Sequence, residues 1–69
     1  MLPGIERVEA YGLRPGDVIT SGETVVETYA GARTPRGKLH VVLDGPRGRR
    51  CAMWGKYTLI GRRERDHAG

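Results

Sequence analysis

The fold of this chain is decided by residues 38–48, which read KLHVVLDGPRG. Their apolar residues Leu39, Val41 and Leu43 occupy every second position, which is the period of a β-strand with one face in the core. The DGPRG run that follows places glycine and proline where a tight turn needs them, and it predicts a hairpin. We expect the return strand of this hairpin at residues 49–54.

Short strands also account for the rest of the chain, because glycine and proline interrupt it about every ten residues. Residues 24–29, TVVETY, are rich in β-branched and aromatic side chains, which favour strands. Pro15 and Gly16 suit the central positions of a type II turn, which would deliver residues 17–20 as a strand. Residues 31–37 form a polar loop. The predicted strands are residues 7–13, 17–20, 24–29, 38–43, 49–54 and 57–62.

The length of 69 residues has room for one domain and for only a small core. Consecutive short strands at this length fit a bent, partly open barrel, whereas a sandwich of about seven strands would not fit. We therefore predict an all-β protein with a small five- to six-stranded barrel over residues 1–62. Residues 63–69 carry no large apolar side chain, so we expect them to form a disordered tail.

One run of the chain resembles a known family. It begins at Val8, continues through residues 13–19, where a Gly-Asp turn precedes a strand, and ends at residues 24–26. This run, within residues 7–30, resembles the opening of small SH3-like barrels. It also resembles small proteins of actinobacteria and of their phages and mobile elements. The resemblance implies a partly open SH3-like barrel, and since that fold hosts nucleic-acid, peptide and protein binders alike, it implies no particular activity.

The inward face of the return strand can be assigned in two ways. If Cys51 and Met53 point inward, then Trp54 lies exposed on the outer face of the sheet, beside Lys38 and His40. In the opposite register Trp54 is buried, as tryptophan usually is, and Cys51 is exposed. Our predicted core consists of Val8, Leu13, Val18, Val26, Leu39, Val41, Leu43, Met53 and Leu59.

Few residues of the sequence could carry catalysis or hold a metal. The single cysteine cannot form an internal disulfide, and Cys51 with two histidines falls short of a four-ligand zinc site. A phosphate-binding loop is excluded because Leu39 follows Lys38 where that motif requires Ser or Thr. His40 has no visible acid to orient it as a general base. Asp17 follows a glycine in a turn, where its carboxylate should accept backbone N–H bonds. We therefore expect no enzyme, no metal and no cofactor.

Positive charge is concentrated in the second half of the chain. Residues 1–32 carry five acids and two bases, a net charge of −3, whereas residues 33–69 carry ten bases and three acids, a net charge of +7. Because arginine neutralises phosphates and an exposed aromatic ring stacks on bases, this half predicts DNA or RNA binding. The binding should be weakly sequence-specific, since the chain lacks Asn and Gln, the usual readers of adenine. The predicted contact residues are Arg33, Arg36, Lys38, Arg47, Arg49, Arg50 and Lys56, with Trp54 as a stacking surface in its exposed register.

A protein-interaction module is the alternative function. The strand edges of an open barrel can accept a strand from a host protein, as in a phage or mobile-element accessory protein, or from a second copy in a homodimer. No stretch approaches the ~20 apolar residues of a membrane span, so we expect no membrane partner and a soluble, cytoplasmic protein.

Overall fold

Five antiparallel β-strands form two small sheets, which confirms the all-β prediction. The computed structural model describes residues 4–63. The strands are β1 (Ile5–Glu9), β2 (Thr24–Tyr29), β3 (Lys38–Gly45), β4 (Gly48–Gly55) and β5 (Leu59–Arg63). β1 pairs with β5, β3 lies between β2 and β4, and the two sheets are not closed into one. Residue 63 of the predicted tail belongs to β5, and the other six residues of that tail lie outside the described residues.

The β3–β4 hairpin forms where the sequence predicts it. Gly45 pairs with Gly48, so the turn consists of Pro46 and Arg47 alone. Gly48 has φ +112°, a value that L side chains rarely adopt, which explains the glycine at this position. A turn of two residues fixes the register of the whole hairpin, and every residue of β3 therefore has a defined partner on β4.

The buried face of β3 is the predicted one, and the structure decides between the two registers left open for β4, where only the prediction of Met53 as a core residue is wrong. Leu39 is 6% exposed, and Val41 and Leu43 are 0% exposed. Leu39 pairs with Trp54, and residues directly opposite each other on paired strands share a face. Trp54 is accordingly half-buried against the core, while Met53, predicted to be in the core, is 49% exposed. Cys51 is exposed as well, so the register with Trp54 inward is the correct one.

The same displacement by one residue occurs at three other predicted core positions. On β2, Val25 is 1% exposed because it is opposite Leu43 on the core face, and Val26, which lies at the register shift between Val25 and Glu27, is only half-buried. Such a bulge exchanges the faces of the residues that follow it. The predictions of Val18 and Leu59 as core residues are also wrong: Val18 is half-buried and Leu59 is 59% exposed. The residue that follows each of them faces the core instead: Ile19 is buried in it and Ile60 packs against it. Val8, which was predicted correctly, also packs against the core. The buried core consists of Ala10, Leu13, Ile19, Val25, Leu39, Val41 and Leu43.

The strand predicted at residues 17–20 is reduced to two single bridges that connect the sheets. Val18 pairs with Thr24 at the start of β2, and Ile19 pairs with Arg62 on β5. The Thr20 N–H donates to the carbonyl of Gly61 at 3.0 Å, on the edge of β5 opposite β1. This short segment therefore joins the two-stranded sheet to the three-stranded sheet.

The first strand is shorter than predicted, since it ends at Glu9 and a 3₁₀ turn, Ala10–Gly12, follows. The Ala10 N–H donates to the Thr58 carbonyl at 2.9 Å, and the Tyr11 N–H donates to the Lys56 carbonyl at 3.0 Å. These bonds hold the 3₁₀ turn against the residues between β4 and β5. They also bring Tyr11 to the end of the hairpin that is farthest from its turn.

A partly buried arginine connects β5 to both β1 and the Pro15–Gly16 turn. Arg62 donates from Nη1 to Asp17 Oδ2 at 2.8 Å and from Nε to Glu6 Oε1 at 2.7 Å. Asp17 is 4% exposed, and it also accepts the Arg14 N–H at 2.9 Å, as its turn position predicts. The carboxylates of Glu6 and Asp17 raise the pKa of the Arg62 guanidinium. We call Arg62, Asp17 and Glu6 the arginine clasp.

Candidate functional site

The predicted contact residues separate into two groups at opposite ends of the three-stranded sheet. We call the first end, formed by the loop 30–37, the start of β3 and the turn 56–58, the loop end. The second, the hairpin tip, comprises residues 45–50. From Lys38 to Gly45 the strand rises about 24 Å. Arg33, Arg36, Lys38 and Lys56 belong to the loop end, and Arg47, Arg49 and Arg50 belong to the hairpin tip.

Backbone hydrogen bonds give the loop end its shape. The Thr34 side chain accepts the Gly31 N–H at 2.8 Å, and the Thr34 N–H donates to the Gly31 carbonyl at 3.0 Å, which closes a turn inside the loop. The Lys56 N–H donates to the Gly37 carbonyl at 2.7 Å and so ties the turn after β4 to the loop before β3. Gly37 has φ +75°, which a residue with a side chain would adopt only with strain. The loop and the turn therefore form one surface.

Among residues 4–63, the cations of the loop end have no acidic partner. Residues 30–43 and 51–58 contain no Asp or Glu. Within residues 4–63, the structure shows no ion pair for the four cations of the loop end. Arg33, Arg36 and Lys38 are exposed, and Lys56 is half-buried. Four positive groups that make no ion pair in the described part of the chain produce a local field that attracts anions.

Exposed aromatic rings gather at the same end, which the sequence analysis did not predict. Tyr29 and His40 are directly opposite each other on β2 and β3, and their rings are stacked with centroids 4.9 Å apart and planes at 21°. Tyr11 and Tyr57 pack edge to face with centroids 5.6 Å apart. All three tyrosines of the chain are thus at or beside the loop end, and they are 46–70% exposed.

The Tyr29 ring is held in place by contacts on the outer face of the sheet. Its hydroxyl lies 3.8 Å from the Sγ atom of Cys51 on β4, and that sulfur lies 3.8 Å from Nδ1 of His40. Tyr29 is on β2, so its side chain reaches across β3 to make this contact. The contact with the Cys51 thiol raises the pKa of the Tyr29 phenol. Ring stacking and the hydroxyl contact together limit the rotation of Tyr29.

At the hairpin tip, one of the predicted cations is neutralised by an acid from the first half of the chain. Arg50 donates from Nε to Glu23 Oε2 at 2.7 Å and from Nη2 to Glu23 Oε1 at 2.8 Å. These bonds, with a further one from the Ser21 hydroxyl, lower the pKa of Glu23 to about 2. Arg50 is opposite Leu43, on the face of the sheet that carries the core, whereas Arg49 is opposite Asp44 on the outer face.

The hairpin tip also contains an open groove of about 520 Å³, which includes Ser21, Glu23 and the three arginines of the tip in its lining. A bidentate Arg–carboxylate pair occupies its wall, so an incoming anion would meet Glu23 as well as the arginines. The loop end, which has no such acid among residues 30–43 and 51–58, is the stronger candidate for an anion site.

Trp54 does not share the surface of the other predicted contact residues. It packs against the core on the inner face, and the exposed rings of this end are the tyrosines. Among residues 4–63, the His, Cys, Asp and Glu side chains form no group of three that could hold a metal ion. In the same residues no helix has the length and apolar character needed to cross a bilayer.

Comparisons of the chain with protein-family models, with curated proteins and with solved structures found no match. The geometry of the described residues is therefore the basis of the functional argument.

Proposed function

We propose that this protein is a non-enzymatic nucleic-acid-binding module whose principal contact surface is the loop end. One observation carries the proposal: at the loop end, four cations that have no carboxylate partner among residues 4–63 share one end of the sheet with exposed tyrosine rings. Cations neutralise phosphates and release their counterions, and aromatic rings stack on bases. Both chemistries that a polynucleotide offers are matched on this surface.

The recognition would depend on charge and shape more than on base sequence. The chain has no Asn or Gln, so the main base-specific contact that its contact residues can make is a hydrogen bond from arginine to guanine. If all four loop-end cations contact phosphates, the logarithm of the binding constant should fall with the logarithm of salt concentration with a slope of about −3.6 for duplex DNA and about −2.8 for single strands. We expect a dissociation constant on the order of micromolar at ~50 mM salt, as for non-specific binders.

We also propose that the two sheets are parts of a partly open SH3-like barrel. The bridges at Val18 and Ile19 support this arrangement, because they link β5 to the start of β2. The strands then follow one another in the order β1, β5, residues 18–20, β2, β3 and β4. The fold adds only an analogy to the functional argument, since such barrels bind several classes of partner.

The test is a titration with fluorescent DNA and RNA probes, single-stranded and duplex, at ~50 mM salt. The double variant Arg33→Ser and Arg36→Ser removes two loop-end charges. The matched control, Arg47→Ser and Arg49→Ser, removes two charges from the hairpin tip. We expect the loop-end variant to lose affinity and to reduce the salt slope by about 1.4 to 1.8, and the control to change both much less.

Absence of binding by the unmodified protein to every probe would refute the proposed function. Equal losses in the two double variants would refute the assignment to the loop end and place the contact on both ends of the sheet.

A second function, binding of a host protein, is favoured by the unpaired edge of β4. β4 has eight residues and, among the described residues, pairs only with β3. Such an edge can accept a strand from a partner or from a second copy of the chain. A pull-down from a cytoplasmic extract before and after nuclease treatment separates the two functions. Antiparallel pairs alternate between bonded and non-bonded, so the N–H of the exposed Met53 points away from β3 toward the free edge. Protein that stays bound after nuclease, and that is lost when proline replaces Met53, would favour this second function.

A further inference from the structure

We propose that the polynucleotide bound at the loop end is single-stranded, with a base stacked on the exposed ring of Tyr29 and the adjoining phosphates on Lys38 and the loop arginines. This inference rests on the proposed function and specifies its ligand. It is derived from three features around the outer face of the β2–β3–β4 sheet: a fixed exposed ring, cations on the neighbouring strand and in the adjoining loop, and acids that limit the site on its other side.

The Tyr29 ring is suited to stacking because it is both exposed and already ordered. It is 46% exposed although it stacks on His40 and its hydroxyl contacts Cys51. A ring fixed in advance loses little rotamer entropy when a base packs on it. His40, the stacking partner, is half-buried and extends the aromatic surface from β2 onto β3.

Cations are placed on the strand beside this ring and in the loop that follows it. Lys38 is two residues from His40 on the same face of β3, a separation of about 7 Å along the strand. Arg33 and Arg36 belong to the loop that begins directly after Tyr29. A strand whose base packs on Tyr29 would therefore carry its neighbouring phosphates over positive side chains. Sites that combine stacking rings with a positive track are typical of single-strand binders.

Acids on the same face limit the site toward the hairpin tip. Glu27 precedes Tyr29 by two residues on β2 and is opposite Val42, and Asp44 lies farther along β3. Both belong to the outer face and would repel phosphates. Toward the hairpin tip these two acids outnumber Arg49, which is opposite Asp44 on this face, so only the loop-end half of the face carries an excess of positive charge. Its loop-end half is complementary to a polynucleotide and the other half is not.

The stacking requirement distinguishes single strands from duplexes. Bases inside a duplex are stacked on each other, so their faces are closed to a protein ring, whereas an unpaired base can be splayed onto one. A duplex could contact the cations of the loop end but not Tyr29. The proposal therefore predicts a preference for single strands that depends on the Tyr29 ring.

The experiment compares single-stranded and duplex decamers, each as DNA and as RNA, against three proteins: the unmodified chain, Tyr29→Leu and Tyr29→Phe. We expect Tyr29→Leu to weaken single-strand binding about fivefold or more and to leave duplex binding and the salt slope unchanged. Tyr29→Phe keeps the ring and loses only the hydroxyl contact to Cys51, so its affinity should stay within about twofold of the unmodified protein. The DNA and RNA arms report whether the 2′-hydroxyl contributes.

The only cysteine of the chain provides an independent readout. Cys51 is exposed and lies in contact with the Tyr29 hydroxyl, so a strand bound over that ring should slow the reaction of the thiol with a maleimide. A duplex held by the cations alone should protect the thiol much less. The circular dichroism spectrum of each variant shows whether it has kept its fold before affinities are compared.

The outcomes separate the inference from the proposed function. If single strands and duplexes bind equally, or if Tyr29→Leu binds single strands as the unmodified protein does, the inference is refuted while nucleic-acid binding stands. Bound single strand without protection of Cys51 also refutes it. If no probe binds, the proposed function itself fails.

Discussion

The arginine clasp provides the most direct test of how this fold is held together. We predict that Arg62→Met, which keeps an unbranched side chain of similar reach but removes the charge, destabilises the protein severely. The Asp17 side chain is 2% exposed and the Arg62 side chain 17% exposed, so water cannot replace the lost partner of Asp17. The variant takes the Arg62 guanidinium away from a buried carboxylate.

The expected cost follows from this burial. Removing one partner of a buried ion pair costs about 3 to 5 kcal/mol, because the charge left behind is poorly solvated. A domain of this size has roughly 3 to 5 kcal/mol of total stability, so Arg62→Met should be largely unfolded at 25 °C. By contrast, Glu6 is 41% exposed, and Glu6→Gln should cost less than about 1 kcal/mol.

The free energy of unfolding can be measured by urea denaturation followed through the fluorescence of Trp54, the only tryptophan. Sulfate or sucrose in the buffer would raise the stability of all variants enough to give Arg62→Met a folded baseline. The double variant Asp17→Asn and Arg62→Met removes both charges. It should therefore be less destabilised than the sum of the two single variants, by about 1 kcal/mol or more.

A small cost would contradict this reasoning. If Arg62→Met loses less than about 1 kcal/mol and the double-mutant cycle shows no coupling, then the clasp does not hold the two sheets together, and apolar packing alone would have to account for their contact.

Three further predictions concern the core, a close contact and the hairpin tip. Val41→Ala should cost about 2 to 3 kcal/mol, since Val41 is 0% exposed, whereas Val42→Ala on the outer face should cost less than about 1 kcal/mol in the same urea assay. Gly61→Ala should be destabilising by about 1 to 3 kcal/mol because its Cβ would lie 2.7 Å from a threonine methyl carbon, while Gly12→Ala, with no atom within 4 Å, should stay within about 0.5 kcal/mol of the unmodified protein. The salt bridge of Glu23 should stabilise the fold above pH 4.5 and lose that effect as the pH falls toward about 2, since the pKa of Glu23 is lowered in the folded state from 4.5 to about 2. Denaturation of Glu23→Gln and the unmodified protein across this range should show their difference vanishing at the acidic end, and a constant difference would contradict the assignment.

The sequence was sufficient to predict the buried face of β3, because its alternation of apolar and polar residues fits only one orientation of the strand. Leu39, Val41 and Leu43 are the large apolar residues of one face, and the structure buries all three. On β4 both faces carry apolar residues, so alternation alone could not choose between Met53 and Trp54. The turn could have shown which residue faces the core. If only residues 46 and 47 form the turn, then Gly45 pairs with Gly48, and the two residue numbers of every further pair also add to 93. Leu39 is then paired with Trp54.

Other errors came from features that single-strand periodicity does not contain. The bulge after Val25 reverses which face of the sheet the following residues of β2 occupy, and no residue type in that stretch predicts a bulge. Leu59 and Ile60 are both apolar, and only the pairing of Ile60 with Val8 shows which one lies toward the core.

Only the cations of the candidate site could be predicted from the sequence. The cations of the second half are visible in the sequence, but the neutralisation of Arg50 by Glu23 joins residues 27 positions apart. The tyrosines of the loop end, Tyr11, Tyr29 and Tyr57, are likewise far apart in the chain. They meet because Tyr11 bonds to the residue that follows β4, and Tyr29 ends the strand beside β3. Such convergence depends on topology, which residue spacing does not encode.

The pairing of β1 with β5 has a consequence for the order of folding. Ile5 is the partner of Arg63, so this sheet closes a loop of nearly the whole described chain, while the β3–β4 hairpin closes a loop of two residues. Loop closure costs more entropy as the loop grows, and folding slows as contacts become less local. We expect the hairpin to form before the transition state and the strands at the two ends to join after it. Substitutions in β1 would then accelerate unfolding, and substitutions in β3 would slow refolding.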